Sequence, residues 1–213
     1  MEGDKKGLSY RIKWMTNIIR HGLFWHGVRN NLARIGLDFM PYYWVQEATS
    51  PITSPKIRGE DKNFVIEKFG EIEINHIKNT IIGIEEKDLL DDLRRGEICL
   101  GLKNGEKIAA YMFIKRKPFV FRNRTFQLGP NESYLHSMYT FEAYRGKNLA
   151  PYLRYHSYKY LEKEGVDTFY SVSEYFNKST IKFKKKLNSK PKRLFLSVIL
   201  FKKLAFNINL KKY

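Results

Sequence analysis

The chain has 213 residues and is 43% apolar, enough for one sizeable core with an appendage and too little for two full domains. Its 39 Lys and Arg face 22 Asp and Glu, a formal charge of +17 that attracts phosphates, nucleic acid or anionic lipid headgroups and carries no information about fold. A single cysteine, Cys99, excludes an internal disulfide. The five histidines lack zinc-site spacing, so no metal is expected.

The first residues, MEGDKKGLSY, are polar and mixed in charge, and no stretch approaches the roughly 20 apolar residues that span a bilayer, so a cytoplasmic protein is expected. Apolar positions from Ile12 through Ile19 and Leu23 to Ile35 predict helix over 10–35, weakened at Gly22 and Gly27 and stopped at Gly36. Prolines 41, 51 and 55 predict an irregular strap over 40–59. Residues 1–59 thus read as a helical N-terminal extension and strap, and 60–213 as the main domain.

Within that domain NFVIEKF (63–69) alternates like a strand, and EIEINHIKN and EEKDLLDDLRR read as short helices. EICLGLKNGEKIAAYMFI reads as a hairpin with Asn104 and Gly105 as its two-residue loop, and Cys99 within it as a buried structural thiol. KPFVF and RTFQL, around Arg122 and Asn123, form a second extended pair that would lengthen the sheet. A turn at Gly129, Pro130 and Asn131 leads into the strand SYLHSMYTF. A helix to about Lys163 follows, closed by Gly165, then the strand VDTFYSVS, the helix KSTIKFKKKL and two strands around FLSVILF and AFNINL. From Tyr175 onward there are twelve Lys or Arg and no acidic residue.

The turn YRGKNLAPYL (144–153) begins a helix, and a helix N-terminus presents unpaired N–H groups suited to a phosphate. MYTFEAYRGKNLAPYL (138–153) resembles the acyl-CoA-binding segment of the GNAT acyltransferase superfamily: a strand, Arg or Gln, two residues, Gly, one residue, then Gly or Ala. Arg145 and Ala150 fit this pattern, and Asn148 stands where the family has its middle glycine. NKSTIKFKKKL (177–187) resembles the second cofactor motif of the same family, an asparagine opening a basic helix.

The resemblance implies an α+β fold, with a mixed, mostly antiparallel central sheet that splays at the cofactor strand and is flanked by helices. It implies an acyltransferase that takes acetyl-CoA or another short acyl-CoA as co-substrate and acylates an amine of a small molecule, a sugar or nucleotide-linked amine being one class. Backbone groups of Met138, Tyr139 and Thr140 would then hold the pantetheine arm, amides of Arg145, Gly146, Lys147, Asn148, Leu149 and Ala150 the pyrophosphate, and Asn177 the pantetheine from the next helix. The acceptor attacks directly, so the protein must align it, accept a proton and stabilise an oxyanion. Glu132, acting through a water, is the preferred base, with His136 on the same strand as the alternative. Lys184 occupies the position of the family's tyrosine acid, as a proton donor or a contact to the phosphates of CoA. Two other readings stand beside this one: a catalytically weak binding module of the same fold, and a basic nucleic-acid or membrane-surface protein.

Overall fold

A computed structural model describes residues 24–59, 63–81 and 89–213. The part of the expected first helix over 10–23, and the first residues of the EEKDLLDDLRR helix, lie outside the described residues. The chain divides into two compact units.

The first unit holds residues from Ile52 to Lys117 and Leu128 to Phe169. Its strands are β2 (Phe64–Phe69), β3 (Ile98–Asn104), β4 (Lys107–Lys115) and β7 (Glu132–Thr140), ordered β2-β3-β4-β7 with each pair antiparallel. β4 is central and buried on both faces from Ile108 to Ile114. On one face, helix α2 (Glu71–Thr80) and α3 (Leu89–Arg94) place Ile74, Ile77 and Leu89 in a core with Phe69, Tyr111 and Phe113. Helix α2 begins where the Glu73 carboxylate accepts the Gly70 N–H at 2.9 Å, satisfying a donor that a helix start leaves open. On the other face, α4 (Leu149–Lys163) buries Leu149, Leu153, Ser157 and Leu161, spaced by four along one stripe. Ser157 donates to the Leu153 carbonyl at 2.8 Å and meets the Met112 sulfur at 3.0 Å. Cys99 is fully buried in the first core, and burial pushes its thiol far above the ordinary range, as a structural thiol requires.

The hairpin between β3 and β4 turns one residue later than its Asn-Gly pair suggests. Asn104 pairs with Lys107, so the loop is Gly105 and Glu106, and of these Gly105 supplies the positive φ of 57°. Leu102 pairs with Ala110 and Lys103 with Ile108, leaving Ala109 as a bulge that absorbs the shift.

The second unit holds residues 24–51, Pro118–Gln127 and Tyr170–Tyr213 of the described chain. It contains α1 (Phe24–Arg34), β1 (Leu37–Glu47), the hairpin β5 (Phe119–Phe121) and β6 (Arg124–Phe126), most of β8 (Thr168–Glu174), α5 (Lys178–Lys185), β9 (Lys190–Leu200) and β10 (Leu204–Lys212). Its strands run in the order β10-β9-β1-β8. The stretch 40–47, expected as an irregular strap, is strand, and Pro41 sits within it opposite Leu196. The β5–β6 pair does not lengthen the sheet. It stands as its own two-stranded ribbon, turned by Arg122 and Asn123 with φ of 52° and 59°. Its rings cover the core, where Trp44 stacks between Phe126 at 4.5 Å and Tyr170 at 4.8 Å, beside Met40, Tyr42 and Phe195. Asp38 ties α1 and the ribbon to β1, accepting from Arg29 at 2.6 Å and from Arg122.

Gly101 on β3 is where the first core is tightest. A methyl group there would fall 1.8 Å from Cζ of Phe69, whose ring is buried beside it. Gly101→Ala should therefore cost about 1–3 kcal/mol in a denaturant titration through overpacking, and adding Phe69→Leu should recover part of that loss. An unchanged midpoint would mean that the ring has room to move.

Candidate active site

Strand β7 and the turn after it gather most of the residues that the sequence singles out. Along β7, Phe113 of β4 pairs with His136 and Tyr111 pairs with Tyr139, so Ser137 and Met138 together oppose only Met112. This is a β-bulge. Ser137 carries a φ of 47°, a left-handed conformation unusual for a residue other than glycine.

After the bulge come Met138, Tyr139 and Thr140, all half-buried, then a 3-10 turn over Glu142–Tyr144. Arg145 folds back on this strand: its Nε donates to the Thr140 carbonyl at 3.1 Å and its guanidinium to the Tyr139 hydroxyl at 3.3 Å. Gly146 has a φ of 84°, with open space around the place a Cβ would take. Asn148, at φ 66° and ψ 23°, stands in the left-handed region immediately before α4. Asparagine there supplies the geometry that the family's middle glycine supplies, because its short polar side chain tolerates it. Its amide donates to the Lys56 carbonyl at 2.8 Å, and the Arg58 N–H donates to the Lys147 carbonyl at 2.9 Å, so residues 56–58 brace the turn from outside. Helix α4 opens with the Tyr152 N–H donating to the Asn148 carbonyl at 3.3 Å. The N–H groups of Leu149 and Ala150 precede that bond, where a helix has no internal acceptor to offer them. A helix start of this kind offers N–H groups and a partial positive charge that suit an anion.

Before the bulge lies a chain of polar contacts. His136 Nε2 is 2.8 Å from a Glu97 carboxylate oxygen, and its Nδ1 is 3.0 Å from the Ser137 hydroxyl. Tyr134 stacks on the imidazole with centroids 5.3 Å apart. Lys115 sits 2.5 Å from the other Glu97 oxygen. Burial raises the Glu97 carboxyl, but the hydrogen bonds from His136 and Lys115 outweigh it and hold the group below its ordinary value. Burial pulls the His136 imidazole below 6.5, against the pull of Glu97, so the ring is neutral at pH 7. With Glu97 ionised, Nε2 carries the proton and donates to it, and Nδ1 accepts from Ser137. Asp92, Glu97 and His136 also bring potential ligand atoms within 4.8 Å of one another, but the Lys115 ammonium, 3.8 Å from Asp92, supplies the positive charge of that cluster.

The remaining predicted residues lie elsewhere. Glu132 opens β7, and its carboxylate accepts the Gly129 N–H at 2.8 Å while its own N–H donates to the Gly129 carbonyl at 3.1 Å. It closes the turn that starts the strand. Asn177, in the second unit, caps α5 by accepting the Thr180 N–H at 3.1 Å. Lys184 corrects the expectation that it meets CoA phosphates or donates a proton from an open lysine cluster. It is buried at 3% exposure, and its ammonium donates to Ser171 at 2.7 Å, to Ser173 at 2.8 Å and to the Val172 carbonyl at 2.9 Å, with Glu47 at 3.5 Å. A buried ammonium so enclosed is a structural ion. Glu97, Ser137, Glu47 and the two serines were missed by sequence reasoning. None of these carried a local signal: the Ala109 bulge shifts the hairpin register by one, so counting back from the turn does not set Glu97 across from Lys115.

Comparison with known proteins agrees with this arrangement. Residues 72–188 match the Acetyltransferase (GNAT) family. No curated protein matches. Among solved structures, the chain is similar to a GNAT-family protein from Novosphingobium aromaticivorans (18% identity, TM-score 0.54, covering 76% of this chain and 64% of that one). It is similar also to an acetyltransferase from the GNAT family of Colwellia psychrerythraea (14%, 0.57, 80% and 60%). A third is a tandem GNAT protein from the clavulanic acid biosynthesis pathway (11%, 0.54, 85% and 58%). At these identities the likeness concerns the fold, and the chain spans about three fifths of the length of these proteins. With the family match extending over more than half of the sequence and the same mostly antiparallel α+β architecture beneath it, the chain belongs to the GNAT acetyltransferase family.

Proposed function

We propose that the protein transfers an acyl group, acetyl in the simplest case, from acyl-CoA to the amine of a small acceptor. The observation that carries this reading is the turn at 145–150, where left-handed geometry at Gly146 and Asn148 leads into the start of α4. The donors fit the group: an anion there meets backbone N–H groups and the positive end of α4, with the Lys147 cation alongside. Bound acyl-CoA supplies the activated thioester. The strongly positive chain favours anionic acceptors, and a sugar or nucleotide-linked amine is the class it suits.

The proton path is assigned to His136, not to Glu132. Ser137 is half-buried at the bulge, and its hydroxyl can take a proton from the acceptor amine while passing its own to His136 Nδ1, with Glu97 balancing the imidazolium that forms. Glu132 is engaged in its own turn. A second reading, a module of this fold that binds acyl-CoA without transfer, is favoured by one fact: the position of the family's acid is held by an enclosed lysine.

Calorimetry with CoA tests the cradle. Gly146→Ala adds a methyl group that touches nothing, so its whole effect is torsional. The free turn of this variant would relax out of the left-handed region, and recovering it on binding, at about 1–2 kcal/mol, should lower CoA affinity roughly tenfold, while Lys147→Ala should cost only a few-fold. Equal losses would argue against a backbone cradle.

Acetyl transfer to a panel of amines, followed against pH, tests the base. For the wild type, kcat/KM should hold at pH 7 and decline only as pH falls below 6.5, because the His136 pKa is depressed and the neutral ring is the competent form. His136→Gln, which can keep a hydrogen bond to Glu97, should lose about a hundredfold and the acid limb with it, whereas Glu132→Gln should lose little. The opposite pattern would restore Glu132 as the base. CoA binding with no transfer to any amine would favour the second reading.

A further inference from the structure

Strands β1, β9 and β10 of the second unit have one face buried and one face bare. Met40, Tyr42 and Phe195 lie on the buried face, under the β5–β6 ribbon, and Asp38 there receives α1. The other face is apolar across all three strands. Phe39, Val198 and Phe206 sit side by side in register, and directly opposed residues share a face. The flanking rows are Leu37, Leu200 and Leu204 on one side and Pro41, Leu196 and Ile208 on the other. Exposure is 44% at Phe39, 54% at Leu204, 52% at Phe206 and 46% at Ile208, so the patch is open to solvent and contiguous.

Cations stand around it. Lys202 and Lys203 occupy the β9–β10 turn at one end, and Lys211 and Lys212 the far end of β10, all exposed. Tyr43 shares the side-chain parity of Phe39 and Pro41 on β1, and it lines a cleft of about 200 Å³ together with Ile181 and Lys185 of α5. Helix α5, with exposed Lys178, Lys182, Lys185 and Lys186, therefore stands on the same face at its Tyr43 end. The sequence from Tyr175 onward has no acidic residue to offset these charges.

We infer that this face docks the protein on an anionic lipid bilayer, its nine apolar residues against the acyl boundary and its lysines against the headgroups. Charge decides against a second copy, since two such faces brought together would set like-charged rims against each other. Chemistry decides against a protein partner. A protein interface carries about one hydrogen bond per 100–200 Å², made mostly at a rim of mixed polar groups, whereas here the rim is lysine of one sign, which matches anionic headgroups, and the nine apolar side chains suit an acyl boundary that asks for no hydrogen bond. No helix among the described residues is long and apolar enough to cross a membrane, so the attachment is peripheral.

The test is co-sedimentation of the full chain with vesicles of phosphatidylcholine alone and of phosphatidylcholine mixed with phosphatidylglycerol, at low and high salt. The wild type should bind the anionic vesicles only and release as salt rises. Phe206→Glu/Ile208→Glu should reduce binding at least tenfold. Lys202→Ala/Lys203→Ala leaves the apolar rows intact and should also reduce it by an order of magnitude or more, each cation near an anionic surface being worth about fivefold. Thermal melting of each variant serves as the folding control, and if the glutamate pair unfolds, the lysine pair decides. Wild type that ignores anionic vesicles, or lysine and glutamate variants that bind as well as wild type, overturns the inference. So does light scattering that finds a dimer dissolved by the glutamate pair with no vesicle binding, which assigns the face to a second copy. A fall in melting temperature of the glutamate pair with no vesicle binding by wild type also overturns it, and assigns the face to packing within the chain.

Discussion

With Ser137 and Met138 set against the single Met112, β7 changes which face its side chains address partway along its length. Three residues separate His136 from Tyr139, an odd step that in a regular strand would put them on opposite faces. The bulge puts both on the side of Tyr111 and Phe113, over the core formed with α2 and α3. The same irregularity sets the Ser137 hydroxyl beside the imidazole and leaves the end of the strand free to be gripped by Arg145. A left-handed serine costs on the order of 1–2 kcal/mol, and it persists because the strand is over-determined on both sides, by the stacking of Tyr134 on His136 before it and by the Tyr111 and Phe141 contacts of Tyr139 after it.

Electrostatics divides the cations into two populations. Several of those inside are matched: Lys184 with Glu47, Lys115 with Glu97, Arg29 and Arg122 with Asp38. Each match withdraws charges of both signs together, so the excess of cations is left on the surface. The field that a ligand meets outside is strongest where the acids are absent, from α5 to the C-terminal end of β10. A basic composition thereby acts as localised attraction.

How far the sequence could be read follows the range of the interactions involved. Helix α4, the strands β2 and β7 to β10, and the turn before α4 were legible because each is announced by local periodicity or by residues that favour one backbone geometry, such as Asn148 before α4. The β3–β4 loop was off by one position because Asn104 stays paired with Lys107 and the turn falls on Gly105 and Glu106, and no local signal marks the Ala109 bulge beyond it. Pro41 argued against a strand, yet β1 forms because its apolar residues pair with β9, a partner at the other end of the sequence. The β5–β6 ribbon was correct as a hairpin and misplaced in the sheet. Lys184 was the clearest failure: its neighbours in sequence are exposed lysines, and its true environment is set by Glu47 and by two serines of β8, which only the folded chain brings to it. The Glu97–His136 contact lay hidden for the same reason.

The pairing of β1 with β9, from Leu37 with Leu200 to Gln46 with Lys190, bears on how the chain is made. A ribosome delivers β1 early, then nearly all of the first unit, and only then the strand that β1 needs. The first unit can close as soon as residue 169 has emerged, its contacts being nearer to one another in sequence. The second must wait for residues 170–213, on the order of seconds at roughly 5–20 residues per second, with Phe39, Tyr42 and Trp44 still lacking their partners. Its three pieces are separated in sequence by residues of the first unit. The vulnerable interval therefore falls between the emergence of residue 169 and that of β9, and a nascent chain released within it would present an unmatched, aromatic-rich strand to whatever else is nearby.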